Sequence, residues 1–282
     1  MKRDAFRVVM SLMRNQPWLQ EKTDLIDHLL FEDCNDEESR ELLIDLVNRF
    51  EFVDNTRYQF LMRQIALEIV TEPEIHEQTT LIAAMSVGSG ADSGQSTIYS
   101  LKPLLQEHSW TRHKIINDAL HSYKTIKSNA PLKDIILVDE FVGSGRTVIG
   151  RVDTIKRQFS ESGITDYSIR VKVLASTKTG LNNVIDHGIK ISSQITLAKG
   201  ISEYFNENLV EKNLALMEKM EGILSTDFNG REMPSLGFGK AESLYFRINT
   251  NLPNSVFPIF WWAEYKNKKT RKTLLIRAMG DA

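Results

Sequence analysis

Two adjacent carboxylates, Asp139 and Glu140, stand just ahead of a turn of small and hydroxyl-bearing residues, Gly143-Ser144-Gly145-Arg146-Thr147. Carboxylates are hard oxygen donors, suited to the hydroxyls of a ribose or to Mg²⁺ reached through water. The glycines let the backbone turn tightly and approach a ligand, while Ser144 and Thr147 add hydroxyls where a helix opens near Arg146. Backbone amides gathered at a helix opening favour an anion, most simply a phosphate. The preceding residues, Ile135-Ile136-Leu137-Val138, form a continuous apolar run. Such a run reads as a central strand of a parallel sheet covered on both faces. In open α/β sheets the ligand crevice lies outside the carboxyl ends of the strands, which is where the two acids fall. The stretch has neither the Gly-Lys-Ser/Thr of a Walker loop nor the Gly-x-Gly-x-x-Gly of a dinucleotide fingerprint. An ordinary strand-to-helix turn is the reading without chemistry.

Four apolar residues, two acids, two apolar residues (Phe141, Val142), a small-residue loop and a threonine resemble the phosphoribosyl-pyrophosphate (PRPP) motif of type I phosphoribosyltransferases. The stretch departs from that pattern in carrying Gly143-Ser144 where two threonines are common, and Arg146 where a small residue is usual. Arg146 either crowds the phosphate loop or adds a bidentate phosphate contact. The resemblance implies that Asp139 and Glu140 hold the ribose hydroxyls and Mg²⁺, and that Val142, Gly143, Ser144, Gly145, Arg146 and Thr147 take the 5′-phosphate. It also implies substitution at ribose C1′ through an oxocarbenium-like state, with a base or water as acceptor. Positioning and charge stabilisation carry that reaction, because the motif supplies no covalent nucleophile.

Further candidates lie where other strands are expected to end. Residues 80–85 read as a short strand, and the following residues 86–97 are rich in glycine and serine. Under the resemblance this is the pyrophosphate loop, with Ser89, Gly90, Ser93 and Gly94 offering backbone amides; otherwise it is a flexible linker. A helix is expected over residues 110–127, leading back to the motif strand. Residues 147–159 read as the helix after the motif, 167–176 and 189–197 as further strands, and 182–187 as a short helix. Lys178, after the 167–176 strand, is the candidate catalytic contact to pyrophosphate, although a charged loop residue is more commonly just solvated.

Beyond residue 197 the chain changes character. Residues 202–224 are amphipathic, and residues 234–262 combine glycine, asparagine and proline with aromatics. Small residues beside amides and rings suit recognition of a flat base, and equally an irregular loop whose aromatics complete a core. Leu236-Gly-Phe-Gly-Lys-Ala-Glu-Ser243 and the run from Asn249 to Trp261 resemble a divergent phosphoribosyltransferase-like group of bacterial conflict systems, including antiphage retron-type loci. Residues 264–277 read as a hairpin with a basic tip at 266–272, which suits either nucleic-acid phosphates or a solvated, aggregation-blocking tip.

These candidates must be positioned by 282 residues with 35 basic and 37 acidic side chains. That balance gives no global argument for nucleic acid or a membrane. Phe6, Val9, Met10 and Met13 open a series of helical apolar stripes that runs to about residue 70. Asp36 begins an acidic first turn for the third helix. The only cysteine, Cys34, cannot form an internal disulfide, and its acidic flank raises a thiol pKa, which reads as an inert thiol. No apolar run approaches membrane-spanning length and the first residues lack a signal-like apolar stretch, so a soluble cytoplasmic protein is expected.

The expected fold is α/β: a type I phosphoribosyltransferase-like parallel sheet over residues 76–200, an N-terminal helical segment over 1–75, and a C-terminal aromatic-rich hood and hairpin over 201–282. The function implied is a PRPP- or nucleotide-binding transferase or N-glycosidic-bond-cleaving enzyme with Mg²⁺. The alternative is a non-catalytic sensing or effector module regulated by a nucleic-acid-containing partner of reverse-transcriptase type. The sequence leaves a homodimer open.

Overall fold

A computed structural model describes residues 3–86 and 93–279. In chain order the elements are α1 (Arg3–Asn15), α2 (Thr23–Phe31), α3 (Glu37–Asn48), β1 (Glu51–Val53), α4 (Asn55–Thr71) and β2 (Thr80–Ala84). Then follow α5 (Ser93–Glu107), β3 (Lys114–Ile116), α6 (Ser122–Ser128), β4 (Asp134–Val142), α7 (Arg146–Glu161) and β5 (Ser168–Thr177). The last are α8 (Lys178–Asp186), β6 (Lys190–Leu197), α9 (Glu207–Glu221), β7 (Asp227–Phe228), β8 (Arg231–Glu232) and β9 (Tyr245–Arg247). Contacts divide the chain into two compact units, Asn55–Thr196 and a second made of Met1–Asp54 with Leu197–Ala282. This differs from the three consecutive segments expected, because the two chain ends share one core and α4 packs with the sheet.

The sheet unit holds five strands in the order β3-β2-β4-β5-β6. Strand β2 pairs in parallel with β3 and β4, and β4 pairs in parallel with β5. Every residue of β2 and the run from Ile135 to Val138 is buried, as a strand covered on both faces requires. One face of β5 presents Val171 and Val173 to a core completed by Val148, Val152, Ile155 and Phe159 of α7. The other face carries Arg170 and Lys172, only 4% and 7% exposed. Their charges are met by α4 and the residue after it: Glu72 lies 3.1 Å from Arg170 Nε and 2.5 Å from Lys172 Nζ, and Glu68 lies 3.4 Å from Lys172. Burial works against a charged Glu72, yet the hydrogen bonds and charges of Lys172 and Arg170 outweigh it and hold the carboxyl below its usual range.

The helix expected over residues 110–127 is replaced by strand β3, a 3-10 turn at Ala119–His121 and the short α6. Strand β3 is three residues long, too short for a period to register in sequence, and it forms by pairing with Leu81, Ile82 and Ala83.

In the second unit, α1, α2, α3 and α9 pack on the C-terminal aromatics in one core that includes Leu12, Leu30, Leu46, Met217, Phe260 and Trp262. The buried stripe of α1 is Ala5, Val9 and Leu12, while Phe6 and Met10 are exposed, so the expected face is rotated. Strand β1 interrupts the expected helical run and pairs in parallel with β9. Asp36 caps α3 by accepting the Ser39 amide at 2.9 Å, as the acidic first turn suggested. Cys34 is buried, and burial is the largest influence raising its thiol pKa; the acid beside it adds a smaller push.

The expected C-terminal hairpin is present but short: the antiparallel bridge of Glu264 to Thr270 is flanked by the bonds of the Tyr265 amide to the Lys269 carbonyl and of the Arg271 amide to the Ala263 carbonyl, while Trp261 and Trp262 lie in the core after a 3-10 turn at Pro258–Phe260 rather than in a strand. Lys266, Lys268 and Lys269 form its exposed tip. Arg271 does not belong to that tip: it is 3% exposed and bonds Asp33 through Nε at 2.8 Å and through its terminal nitrogen at 2.7 Å. A buried guanidinium needs such a partner, which fixes the turn from inside.

Candidate functional site

The crossovers that follow β2, β4 and β5 each return through a helix, so α5, α7 and α8 all open at the carboxyl edge of the sheet. From β2 the chain passes to β3 on one side, then returns to β4 on the other. The crevice between β2 and β4 is therefore the topological switch point, where ligands of open α/β sheets bind. Ser93, the first residue of α5, donates its hydroxyl across this crevice to Asp139 Oδ1 at 2.9 Å.

Asp139 is partly exposed at the end of β4, and its Oδ1 also accepts the Glu140 amide at 2.7 Å. Both acids lie within the strand, where successive side chains point to opposite faces. Glu140 is 4% exposed and faces away from Asp139's side of the sheet. The Val142 side chain belongs to the core, so only its main chain borders the loop.

The loop at residues 143–145 owes its shape to α8. Thr177 caps that helix by accepting the Gly180 amide at 2.9 Å, and the same hydroxyl donates to the Gly143 carbonyl at 2.6 Å. Asn183 Nδ2 donates to the Ser144 carbonyl at 3.1 Å. Gly145 sits at φ +79°, where an added Cβ would lie 2.8 Å from the Gly180 carbonyl oxygen. A Cβ on Gly180 would lie 2.0 Å from the Gly143 carbonyl oxygen. Two glycines are thus required where the loop and α8 touch.

With these carbonyls tied to α8, the loop's amides have a different fate. The backbone N–H groups of residues 144–148 have no acceptor among the described residues, and the next amide, of Ile149, bonds the Gly145 carbonyl at 3.0 Å. Arg146 and Thr147 are exposed, and Ser144 is half-buried. Lys178 opens α8 at the same edge and is exposed. Ser89 and Gly90 lie outside the described residues, whereas Ser93 and Gly94 form the first turn of α5.

Thr177, Gly180 and Asn183 went unread as site residues. Their sequence signal is a threonine three positions before a glycine at a strand-to-helix junction, a capping pattern; its target, the 143–145 loop, is visible only in three dimensions. Among the described residues no group of three or more His, Cys, Asp or Glu side chains is arranged to hold a metal ion. Nor does any described helix have the length and apolarity to cross a membrane.

A parallel sheet with an acid and a run of amides that lack acceptors among the described residues at its switch point gives an α/β protein of phosphoribosyltransferase-like fold. The sequence matches the PRTase-CE family over residues 17–277, and the chain belongs to that family. Among solved structures it is similar to the xanthine-guanine-hypoxanthine phosphoribosyltransferase of Helicobacter pylori, with 16% identity, 52% of this chain and 83% of that chain covered, and a TM-score of 0.33. It is likewise similar to the orotate phosphoribosyltransferase of Aeropyrum pernix, at 15% identity, 57% and 78% coverage and a TM-score of 0.32. The hypoxanthine-guanine phosphoribosyltransferase of Schistosoma mansoni in complex with IMP matches at 13% identity, 51% and 67% coverage and a TM-score of 0.35. No curated protein matches the sequence.

Proposed function

We propose that the crevice between β2 and β4 binds PRPP or a nucleotide and supports transfer or cleavage at ribose C1′. The observation that carries this reading is the run of unpaired amides at residues 144–148, opening α7 beside Asp139. Such amides, with the positive end of the helix dipole, hold a phosphate without any charged side chain. Arg146 and Thr147 add a cation and a hydroxyl to the phosphate. Asp139 accepts from a ribose hydroxyl in exchange for its bond to Ser93. Lys178, at the opening of α8, faces the leaving pyrophosphate.

Mg²⁺ commonly keeps several waters and takes one or two carboxylates together with substrate phosphates. Asp139, partly exposed at the end of β4, fits that role. Bound there, the ion would neutralise charge on the departing pyrophosphate. Glu140 supports from behind the strand rather than as a second ligand on the same face. Its burial favours a second reading, in which the site binds its ligand without turnover and signals its presence. A role in antiphage defence is proposed for either reading, motivated by the resemblance of residues 236–243 and 249–261 to proteins of bacterial conflict systems and tested by plaque formation with wild type and Asp139→Asn.

Calorimetric titration with PRPP, with and without Mg²⁺, tests the site. Asp139→Asn should weaken Mg²⁺-dependent binding by about 2 kcal/mol while leaving the melting temperature unchanged. Unchanged affinity would remove Asp139 from the site. Pyrophosphate release on adding nucleobases or on incubation in water marks the enzyme; binding without release marks the sensor.

A further inference from the structure

The sheet unit carries a second concavity, at the opposite, amino edge of the strands. It is a groove of about 580 Å³ lined by the second half of α7, the start of β5 and the turn from α8 into β6. That volume lies within the range of small-molecule sites. Its floor is apolar, formed by Val152, Ile164 and Ile189, with Tyr167 on one side. The Tyr167 ring is fixed against Phe159, their centroids 4.4 Å apart, so it presents a rigid face. Three cations complete the lining: Lys156 on α7, Lys190 at the start of β6, and Arg170 of β5, whose charge is already met by Glu72 at 3.1 Å.

Elsewhere in this unit Lys133 pairs with Asp166 at 3.1 Å and Lys172 with Glu72 at 2.5 Å. Lys156 and Lys190 have no ion-pair partner among the described residues, although Lys156 is partly buried. An apolar floor, a fixed ring and two uncompensated ammonium groups specify the complement of a flat, negatively charged molecule. We propose that this groove is a second binding site, for a small planar organic anion (an aromatic carboxylate, sulfonate or phosphate) whose ring lies on the apolar floor and whose charge is met by Lys156 and Lys190. Helix α7 begins at the 143–145 loop and α8 braces that loop, so both elements that shape the carboxyl-edge crevice end in this groove. The groove shares no residue with that crevice, and its occupancy does not depend on what binds there.

The test is fluorescence titration of the full chain with 1-anilinonaphthalene-8-sulfonate, beside its uncharged parent N-phenyl-1-naphthylamine. The Lys156→Gln/Lys190→Gln double variant should bind the sulfonate roughly tenfold more weakly than wild type, with the uncharged probe bound equally by both. Both substitutions lie on the surface, and matching melting curves establish that the variant is folded. Equal sulfonate affinity in wild type and double variant would overturn the proposal, as would a parallel loss for the uncharged probe.

Discussion

Among the described residues there are two Gly-x-Gly loops, Gly143-Ser144-Gly145 in the sheet unit and Gly237-Phe238-Gly239 in the other, and their backbones are used in opposite ways. In the second loop the amides are consumed internally: Gly237 donates to Pro234, Phe238 to Asn254, Lys240 to Gly237 and Glu242 to Leu236, each at 2.8 Å. Two buried carboxylates finish the closure. Glu221 accepts the Leu236 amide and the Ser235 hydroxyl, and Glu242 accepts the amides of Ile201 and Ser202. In the first loop the carbonyls are tied to α8 and the amides that follow are left without acceptors among the described residues. Glycine alone therefore does not mark a ligand loop; the destination of the amides does.

That contrast predicts where substitutions hurt. The largest effect is expected at Gly237, which sits at φ +78° with a virtual Cβ 2.0 Å from the Ser255 carbonyl oxygen. Gly237→Ala should destabilise its unit by about 4 kcal/mol in denaturant unfolding, and a near-neutral result would show that the loop is not closed as described.

Next is Glu221, 1% exposed, whose carboxyl is pushed up to about 7 by burial despite its hydrogen bonds from Ser235 and Leu236. The folded state then binds this proton more tightly than the unfolded chain does. Its contribution is fully present below the ordinary glutamate range and is lost as pH rises toward about 7. Thermal unfolding should show stability falling from pH 5 to 8, and Glu221→Gln should flatten that slope and gain about 2 kcal/mol at pH 8. An identical slope in the variant would assign the pH dependence elsewhere.

Thr177 probes the first loop. Thr177→Val removes the cap of α8 and the tie to Gly143, and should cost about 1 kcal/mol of stability. PRPP affinity should fall with it, and Thr177→Ser should restore both; affinity untouched by the valine would separate the brace from the binding loop. The smallest effect is at Gly150 on α7, where an added Cβ meets nothing within 4 Å. Gly150→Ala should raise stability by about 0.7 kcal/mol without altering ligand binding, a control for ordinary helical glycine.

Much of the first region was legible in sequence because its signals are local. The apolar run at residues 135–138, the acids after it and the glycine turn into α7 are neighbours in the chain, and the described strand and helix follow that order. The two acids themselves divided, since strand geometry continues through Val142 and sends Asp139 and Glu140 to opposite faces. Strands β1 and β3 were invisible because three residues carry no periodicity and each exists only through its partner.

The second region was left open between base recognition and core packing, and the tertiary structure decided for packing: Phe257, Phe260, Trp261 and Trp262 are all buried with the N-terminal helices. By itself the sequence determined the parallel α/β core, the strand-loop-helix that carries the candidate site, and the capped start of α3. Only the tertiary structure decided that residues from the two chain ends share one core, that Arg271 turns inward to Asp33, and that α8 ties the carbonyls of the 143–145 loop. The physical reason is the range of the forces involved. Apolar periodicity, caps and turns act over a few residues and are written locally, whereas the partner of a buried charge or carbonyl is chosen by packing between segments far apart in the chain.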